Sequence, residues 1–343
     1  MKALVKFASG YGNLEVRDVE EPKIGPEQVL VEVKAAGICG SDLHYYEGSG
    51  DIKTPIILGH EFSGDIVQVG AKVTGWAAGD RIASETSYHI CGRCYFCKYG
   101  NYPLCSERKG FGSGVDGVFT KHVAVPARLL HRLPDNLSYS EGAVVQPAAD
   151  IVHAVTRNAR VLAGDTVVVM GPGPMGLLTA QVARAQGAGR VIVTGLTADE
   201  KRLEIAQRVG ADLTINVQKE DPIKTVMDLT NGMGADVIFE ITGAPAAPPQ
   251  ALDMIRKKGQ IVIVGVHSRL VQLDMLKFLE KEAVMRASIM SNWIDYERAI
   301  GLMVIGKIRA KELITHEFPI SDWKQAFSLA LDKTACKVIL TPI

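Results

Sequence analysis

Hydrophobic and polar positions follow one pattern before residue 149 and another after it. Up to Ala148 the apolar positions come in short β-branched runs, such as VLVEVKAAGI and FSGDIVQVG, broken by glycine, proline and Gly-Asp turns. That texture predicts mostly β-structure with long loops. From Ala149 to Met285, strand-like runs (TVVVMG, VIVTG, LTIN, ADVIFEITG, IVIVGV) alternate with helical ones (GLLTAQVARAQGA, DEKRLEIAQRVG, DPIKTVMDLTNG, PPQALDMIRKKG). Alternation at this length predicts right-handed βαβ crossovers and a doubly wound parallel sheet covered on both faces. The remainder, 286–343, carries helical patterns in WIDYERAIGLMVIGKI and DWKQAFSLALD and closes on the strand KVILTPI. We assign it to the first domain. The expected organisation is therefore an α/β chain with a β-rich domain, 1–148 completed by 286–343, around a dinucleotide-type domain, 149–285.

The most apolar stretch, Val161 to Ala183, is divided by Asp165 and the Gly171-Pro172-Gly173-Pro174 break into a strand and a helix, so no membrane span is expected. Over 343 residues, Lys plus Arg and Asp plus Glu balance at 38 each, which leaves no field to attract nucleic acid or an anionic membrane. Small molecules and other subunits are the expected partners. MKALVKFASG has no signal-peptide pattern, and a cytoplasmic location is expected.

Four cysteines, Cys91, Cys94, Cys97 and Cys105, lie within HICGRCYFCKYGNYPLC. Four soft thiolates on one short turning segment suit a closed tetrahedral Zn²⁺ site. The alternative, a disulfide framework, belongs to secreted chains, and the two other cysteines, Cys39 and Cys336, lie far apart. A zinc-ribbon nucleic-acid module is disfavoured by the neutral charge and by the lack of basic patches interleaved with aromatics.

After TVVVM comes Gly171-Pro172-Gly173-Pro174-Met175-Gly176, a G-x-G-x-x-G in strand–turn–helix context. The first glycine permits the tight turn, the second lets backbone approach a pyrophosphate, and the third lets helix and strand pack closely, with the anion on the helix N-terminus. Gly195 stands where NAD-binding chains carry a carboxylate for the ribose 2′-OH. Thr197, Lys201 and Arg202 follow within reach of a 2′-phosphate, so NADP(H) is slightly favoured over NAD(H). The alternative is that Asp199 or a backbone group serves NAD.

Upstream, GICGSDLH carries Cys39, Ser41 and His44, and LGHEFSG carries His60 and Glu61. Thiolate, imidazole and carboxylate form a three-ligand set that would leave a catalytic zinc one open position. Each residue alone is more often a packed or turn residue than a ligand. Together with GDRI at Gly79–Ile82, the four-cysteine lobe and GPGPMG, all in order, they make the chain resemble the zinc-containing medium-chain dehydrogenases. The resemblance is strongest to the polyol branch of sorbitol (iditol), butanediol and threonine dehydrogenases.

That resemblance implies a GroES-like catalytic domain and a Rossmann domain, with substrate and nicotinamide meeting in the cleft. It implies hydride transfer between NAD(P)(H) and the secondary alcohol or ketone of a polyol, sugar alcohol, diol or amino alcohol. Two zinc ions per chain follow, one catalytic on Cys39, His60 and Glu61 and one structural on Cys91, Cys94, Cys97 and Cys105. Ser41 and His44 become a proton relay, for which a turn-capping pair is the alternative reading. Cofactor positions carried over are Gly171, Gly173, Pro174, Met175, Gly176, Gly195, Thr197, Arg202, Val264, Gly265, Val266 and Lys337. Tyr45, Phe111 and Ile289 to Trp293 fall where the family lines its pocket, with core or surface aromatics as the even alternative, and for Lys337 a solvated strand-end lysine is the equal alternative. A homo-oligomer, dimer or tetramer, is implied.

One departure stands out: Gln146-Pro147 replaces the Glu-Pro of the polyol enzymes, whose carboxylate can approach the zinc. Glutamine is a poorer ligand, so water or substrate oxygen can take that position. Asp150, four residues on, is a candidate for binding an extra substrate hydroxyl or amine, its alternative being a solvated first-turn aspartate. A non-catalytic NADPH-binding protein of the same fold is the competing functional reading.

Overall fold

In the computed structural model, which describes residues 1–50, 52–332 and 335–342, the chain divides into two compact units. The first comprises Met1–Gln146, Asn292–Val304 and Ile314–Ile343, and the second Pro147–Ser291 and Ile305–Leu313. The expected assignment of all of 286–343 to the first unit is corrected at two places. Val284–Ala287 pairs in parallel with Ile255–Ile263 as the last strand of the second unit. Residues 305–313 join that unit because the Arg309 amide donates to Gln181 Oε1 at 2.7 Å, satisfying a buried glutamine on the helix Pro174–Ala185.

The first unit is mostly β with long loops, as the β-branched runs predict. Its main sheet runs Ile314–Pro319, Lys337–Thr341, Gln28–Gly37, Glu61–Val69, Arg81–Ser84, Leu130–Arg132, with His122–Pro126 also paired to Gln28–Gly37. A smaller sheet orders Leu14–Asp18, Lys2–Lys6 and Ile56–Ile57. The alternating pattern of Gln28–Gly37, with Val29, Val31 and Val33 buried, places one face on a core that includes Phe62, Phe119 and Phe327. The closing strand is held by Ile339 and Leu340 opposite Gly37 and Ala36. It thereby brings the last residues of the chain beside the segment that carries Cys39.

The second unit is a six-stranded parallel sheet in the order Leu213–Asn216, Arg190–Gly195, Thr166–Met170, Ala235–Glu240, Ile255–Ile263, Val284–Ala287. Numbered along the chain this is 3-2-1-4-5-6, the Rossmann order. Every residue of Thr166–Met170 is buried, as expected of a central strand covered on both faces. Helices fall where the periodicity predicts, with one shift. The predicted helix PPQALDMIRKKG ends at Met254, and IRKKG opens the next strand. The β-branched Ile255 and its parallel pairing with Ala235 win over helical spacing there. Among the described residues no helix is long and apolar enough to cross a membrane.

Candidate zinc and dinucleotide sites

Cys39 immediately precedes the helix Gly40–Glu47, and its backbone N–H donates to Asp42 Oδ2 at 2.9 Å. The other carboxylate oxygen of Asp42 accepts from Gly59 N at 3.1 Å. Asp42 is fully buried and therefore ties the Cys39 turn to the His60 turn from inside. Gly59 adopts φ +90°, a left-handed conformation that favours glycine and lets the chain turn before His60. Glu61 then opens the strand Glu61–Val69. One ligand atom each from Cys39, His60 and Glu61 lies within 4.8 Å of the others.

Electrostatics at this site favour a cation. Burial would depress the His60 imidazole, but the Cys39 thiolate, then Asp42 and Glu61, outweigh it and raise its pKa to about 10. Burial chiefly drives Asp42 upward, against the pull of His60 and of the N–H groups of Cys39 and Gly59. One imidazole is thus the sole basic ligand among three acidic groups. The His60 Nδ1 to Asp42 Oδ1 separation is 4.0 Å. The donor set of soft thiolate, borderline imidazole and hard carboxylate fits Zn²⁺.

Glu61 has a partner that sequence reasoning misplaced. The Lys337 ammonium is buried, donates to Glu61 Oε2, and donates to the Ile38 carbonyl at 3.0 Å. It is therefore engaged inside the first unit and not free for a cofactor phosphate, contrary to the expectation. Gly37, opposite Glu61 in the register, leaves room for both side chains: a Cβ there would lie 2.3 Å from Glu61 Oε2 and 2.8 Å from Lys337 Cε. Phe111 is 3% exposed, packs edge-on to Phe62 and Tyr88, and lines a cavity with Tyr88, Val115 and Asp116 to which none of Cys39, His60 and Glu61 contributes. Tyr45 is half-buried, and burial raises its hydroxyl pKa.

Ser41 and His44 sit one turn apart on the helix Gly40–Glu47, and the His44 ring is 59% exposed, with Nδ1 3.4 Å from Ser49 Oγ. In the second unit Asp150 accepts from Ser291 Oγ at 2.6 Å. Of the stretch Ile289–Trp293, Ile289 is exposed and Met290 takes φ +56°. The Trp293 amide donates to Tyr102 Oη at 2.6 Å within the first unit. Gln146 is buried.

The four-cysteine lobe places its ligand atoms within 4.8 Å of one another, and none of its cysteines is in a disulfide. Cys91 Sγ and Cys97 Sγ are 3.9 Å apart. That is nearly twice a disulfide bond and close to the edge of about 3.8 Å expected of a tetrahedron with Zn–S bonds of about 2.3 Å. The backbone N–H groups of Arg93 and Cys94 lower Cys91 to about 6, whereas desolvation and the neighbouring sulfurs push Cys97 up to about 12. Thiols this close do not all ionise without a cation among them. Asn292 Nδ2 donating to Gly100 O, and Tyr102 donating to Glu85, fasten the lobe to its unit.

In the second unit the strand Thr166–Met170 ends at Gly171 (φ +106°), and the helix Pro174–Ala185 begins without a side-chain cap. Its first N–H groups are left for an anion. Gly176 is fixed by packing: a Cβ would stand 1.8 Å from the Gly171 carbonyl oxygen. Forcing that contact costs about 1–3 kcal/mol, so Gly176→Ala is expected to weaken NAD(P)H binding by about tenfold or more. Fluorescence titration checks this, with unchanged zinc content showing that the first unit is intact.

Gly195 has a second reason to be glycine. A Cβ there would meet Pro172 Cγ at 2.8 Å, so any side chain at the end of this strand would require Pro172 to shift. Thr197 donates its amide to Gln218 Oε1 at 2.9 Å. Arg202, expected to reach toward a 2′-phosphate, is 11% exposed and turned onto Asp199 at 3.5 Å, an ion pair that the separation of three residues on a helix favours. Lys201 is exposed at the start of the same helix. Val264 N and Gly265 N both donate to the Glu240 carbonyl, at 2.8 and 3.0 Å, and the Val266 side chain is 78% exposed.

Residues 25–135 match the model of the alcohol dehydrogenase GroES-like domain, and residues 174–304 that of the zinc-binding dehydrogenases. A sorbitol dehydrogenase of Halalkalibacterium halodurans is 45% identical over 100% of both chains. A D-arabitol-phosphate dehydrogenase of Enterococcus avium is 39% identical, covering 99% of this chain and 97% of its own. A zinc-binding dehydrogenase of Sinorhizobium meliloti 1021, solved with NADP bound, superposes with a TM-score of 0.93 at 31% identity over 99% of each chain. With two donor sets fit for zinc and a glycine turn fit for a dinucleotide, this likeness along the whole chain places the protein in the zinc-containing medium-chain dehydrogenase family, as an NAD(P)-dependent oxidoreductase of its polyol branch.

Proposed function

We propose that Cys39, His60 and Glu61 hold the catalytic zinc and that the substrate is a polyol, sugar alcohol or diol oxidised at a secondary hydroxyl, or the matching ketone. The convergence of the three ligand atoms within 4.8 Å, beside a buried Asp42 that braces both ligand turns, carries this reading. Cys91, Cys94, Cys97 and Cys105 hold the second ion, closed to chemistry.

When bound, zinc supplies Lewis acidity at the substrate oxygen and the nicotinamide carries the hydride. The residues of the chain supply position and a proton path. Cys39 and Glu61 contribute negative charge that keeps the cation in place, and Asp42 fixes the backbone of Cys39 and Gly59 so that thiolate and imidazole face one point. Lys337 holds Glu61 through Oε2, and Glu61 would supply the carboxylate ligand of the metal. Ser41 Oγ would accept the proton of the alcohol while releasing its own hydroxyl proton toward His44, whose exposed ring would pass it to water. With Gln146 in place of a carboxylate, substrate oxygen or water completes the site. Tyr45 and Asp150, the latter paired with Ser291, contribute to substrate recognition.

NADP(H) is favoured over NAD(H), because Pro172 keeps Gly195 free of a carboxylate and Lys201 offers an exposed cation. Lys201→Glu is expected to weaken NADPH by about tenfold, the worth of one charge-assisted hydrogen bond, with NADH unchanged. Parallel titrations check this, and equal effects on both cofactors would refute the preference. A homo-oligomer in the cytoplasm completes the reading.

The decisive test is a screen of polyols, sugar alcohols, diols, amino alcohols and ketones against both cofactors, with metal analysis of the same sample. Turnover and two zinc ions per chain are expected. One zinc per chain and no turnover would favour a non-catalytic NADPH-binding protein.

A further inference from the structure

Glu240 ends the fourth strand of the Rossmann sheet and its carboxylate is entirely buried. Oε1 accepts from Thr242 N at 2.7 Å, from Thr242 Oγ1 and from Gly243 N at 3.0 Å. Oε2 lies 2.8 Å from His267 Nε2. His267 follows the fifth strand, Ile255–Ile263, and its ring is 14% exposed. Its Nδ1 is buried with no hydrogen-bond partner. The loops meet backbone to backbone: a Cβ on Gly265 would stand 2.3 Å from Gly243 N, and one on Gly243 2.4 Å from Val266 O.

We propose that His267 is a cofactor-positioning residue whose Nδ1 accepts a hydrogen bond from the nicotinamide nucleoside half of the dinucleotide. Nε2–H donating to the Glu240 carboxylate makes Nδ1 an acceptor, and an unpaired buried acceptor is costly until a ligand donor fills it. Ligands of this fold bind outside the carboxyl ends of the strands, one mononucleotide to each half of the sheet. The glycine turn and strands one to three form the adenosine half. Glu240 and His267 stand at the carboxyl ends of strands four and five, in the other half. The donors that half offers are ribose hydroxyls and the carboxamide NH₂. The inference rests on the dinucleotide reading of this unit.

The test compares wild type with His267→Phe in titrations of NADH, NADPH, ADP-ribose and 5′-AMP. The expected result is about tenfold weaker binding of the preferred reduced dinucleotide, with 5′-AMP unchanged. ADP-ribose locates the donor: weakened in step, it identifies a ribose hydroxyl, and unchanged, the carboxamide. His267→Asn, whose amide oxygen falls near the Nδ1 position, is expected to retain most of the affinity. Unchanged dinucleotide affinity in His267→Phe, equal weakening of 5′-AMP, or equal loss in the Asn and Phe variants would overturn the proposal. Failure of wild type to bind any of the four probes would instead overturn the dinucleotide reading itself.

Discussion

Cys39→Ala is expected to lower kcat/KM by about 10⁴-fold while leaving one zinc per chain and an almost unchanged melting temperature. Among the described residues the thiolate is one of three ligand atoms that converge there, and its charge, with Glu61, retains the cation. Loss of the metal removes the stabilisation of charge developing on the substrate oxygen; 10⁴-fold corresponds to about 5.5 kcal/mol, within what a Lewis acid supplies. Stability should hold because Cys39 is not core packing, and Asp42 still accepts from the residue-39 backbone and from Gly59. Cys97→Ala supplies the contrast, losing the other zinc and destabilising the lobe. Metal analysis, kinetics and thermal unfolding of the two variants decide the matter. Full activity in Cys39→Ala would sink the catalytic assignment.

Lys337→Met is expected to cost about 3–5 kcal/mol of stability, because it strands the Glu61 carboxylate without its buried partner. For a unit of this size that is a fall in melting temperature of about 10 °C. Zinc added in excess should restore part of the loss, since a cation then neutralises the carboxylate. Lys337→Met with Glu61→Gln should be more stable than Lys337→Met alone and yet inactive. Thermal unfolding with and without added zinc checks this double cycle, and a Lys337→Met variant as stable as wild type would show that the pair carries no such weight.

The doubly wound sheet was readable because strand and helix periods differ and alternate cleanly from Thr166 to Ile263. The four cysteines were readable because metal geometry imposes spacing on a local segment. Cys39, His60 and Glu61 were individually ambiguous, and only five motifs in fixed order raised them above packed or turn residues. Lys337 was misread for a physical reason. Its partner Glu61 is 276 residues away, and nothing local marks a lysine as buried. Phe111 was ambiguous for a like reason, since an aromatic in a pocket wall and one in a core have the same local sequence, and only folding set it against Phe62 and Tyr88. Arg202 was within chain distance of a phosphate, but its nearer neighbour Asp199 claimed it.

Periodicity, ligand spacing and glycine placement are properties of neighbours along the chain, and they sufficed for the fold class, the lobe, the phosphate turn and the family. Partner choice for buried charge is a property of neighbours in space. Folding alone decided that Asp42 braces the two ligand turns, that Lys337 serves Glu61, and that Pro172 crowds any side chain at residue 195. It also brought Glu240 to His267 across two βα loops. In each case desolvation makes an unpaired polar group too costly, and the group that satisfies it comes from whichever strand the topology sets alongside.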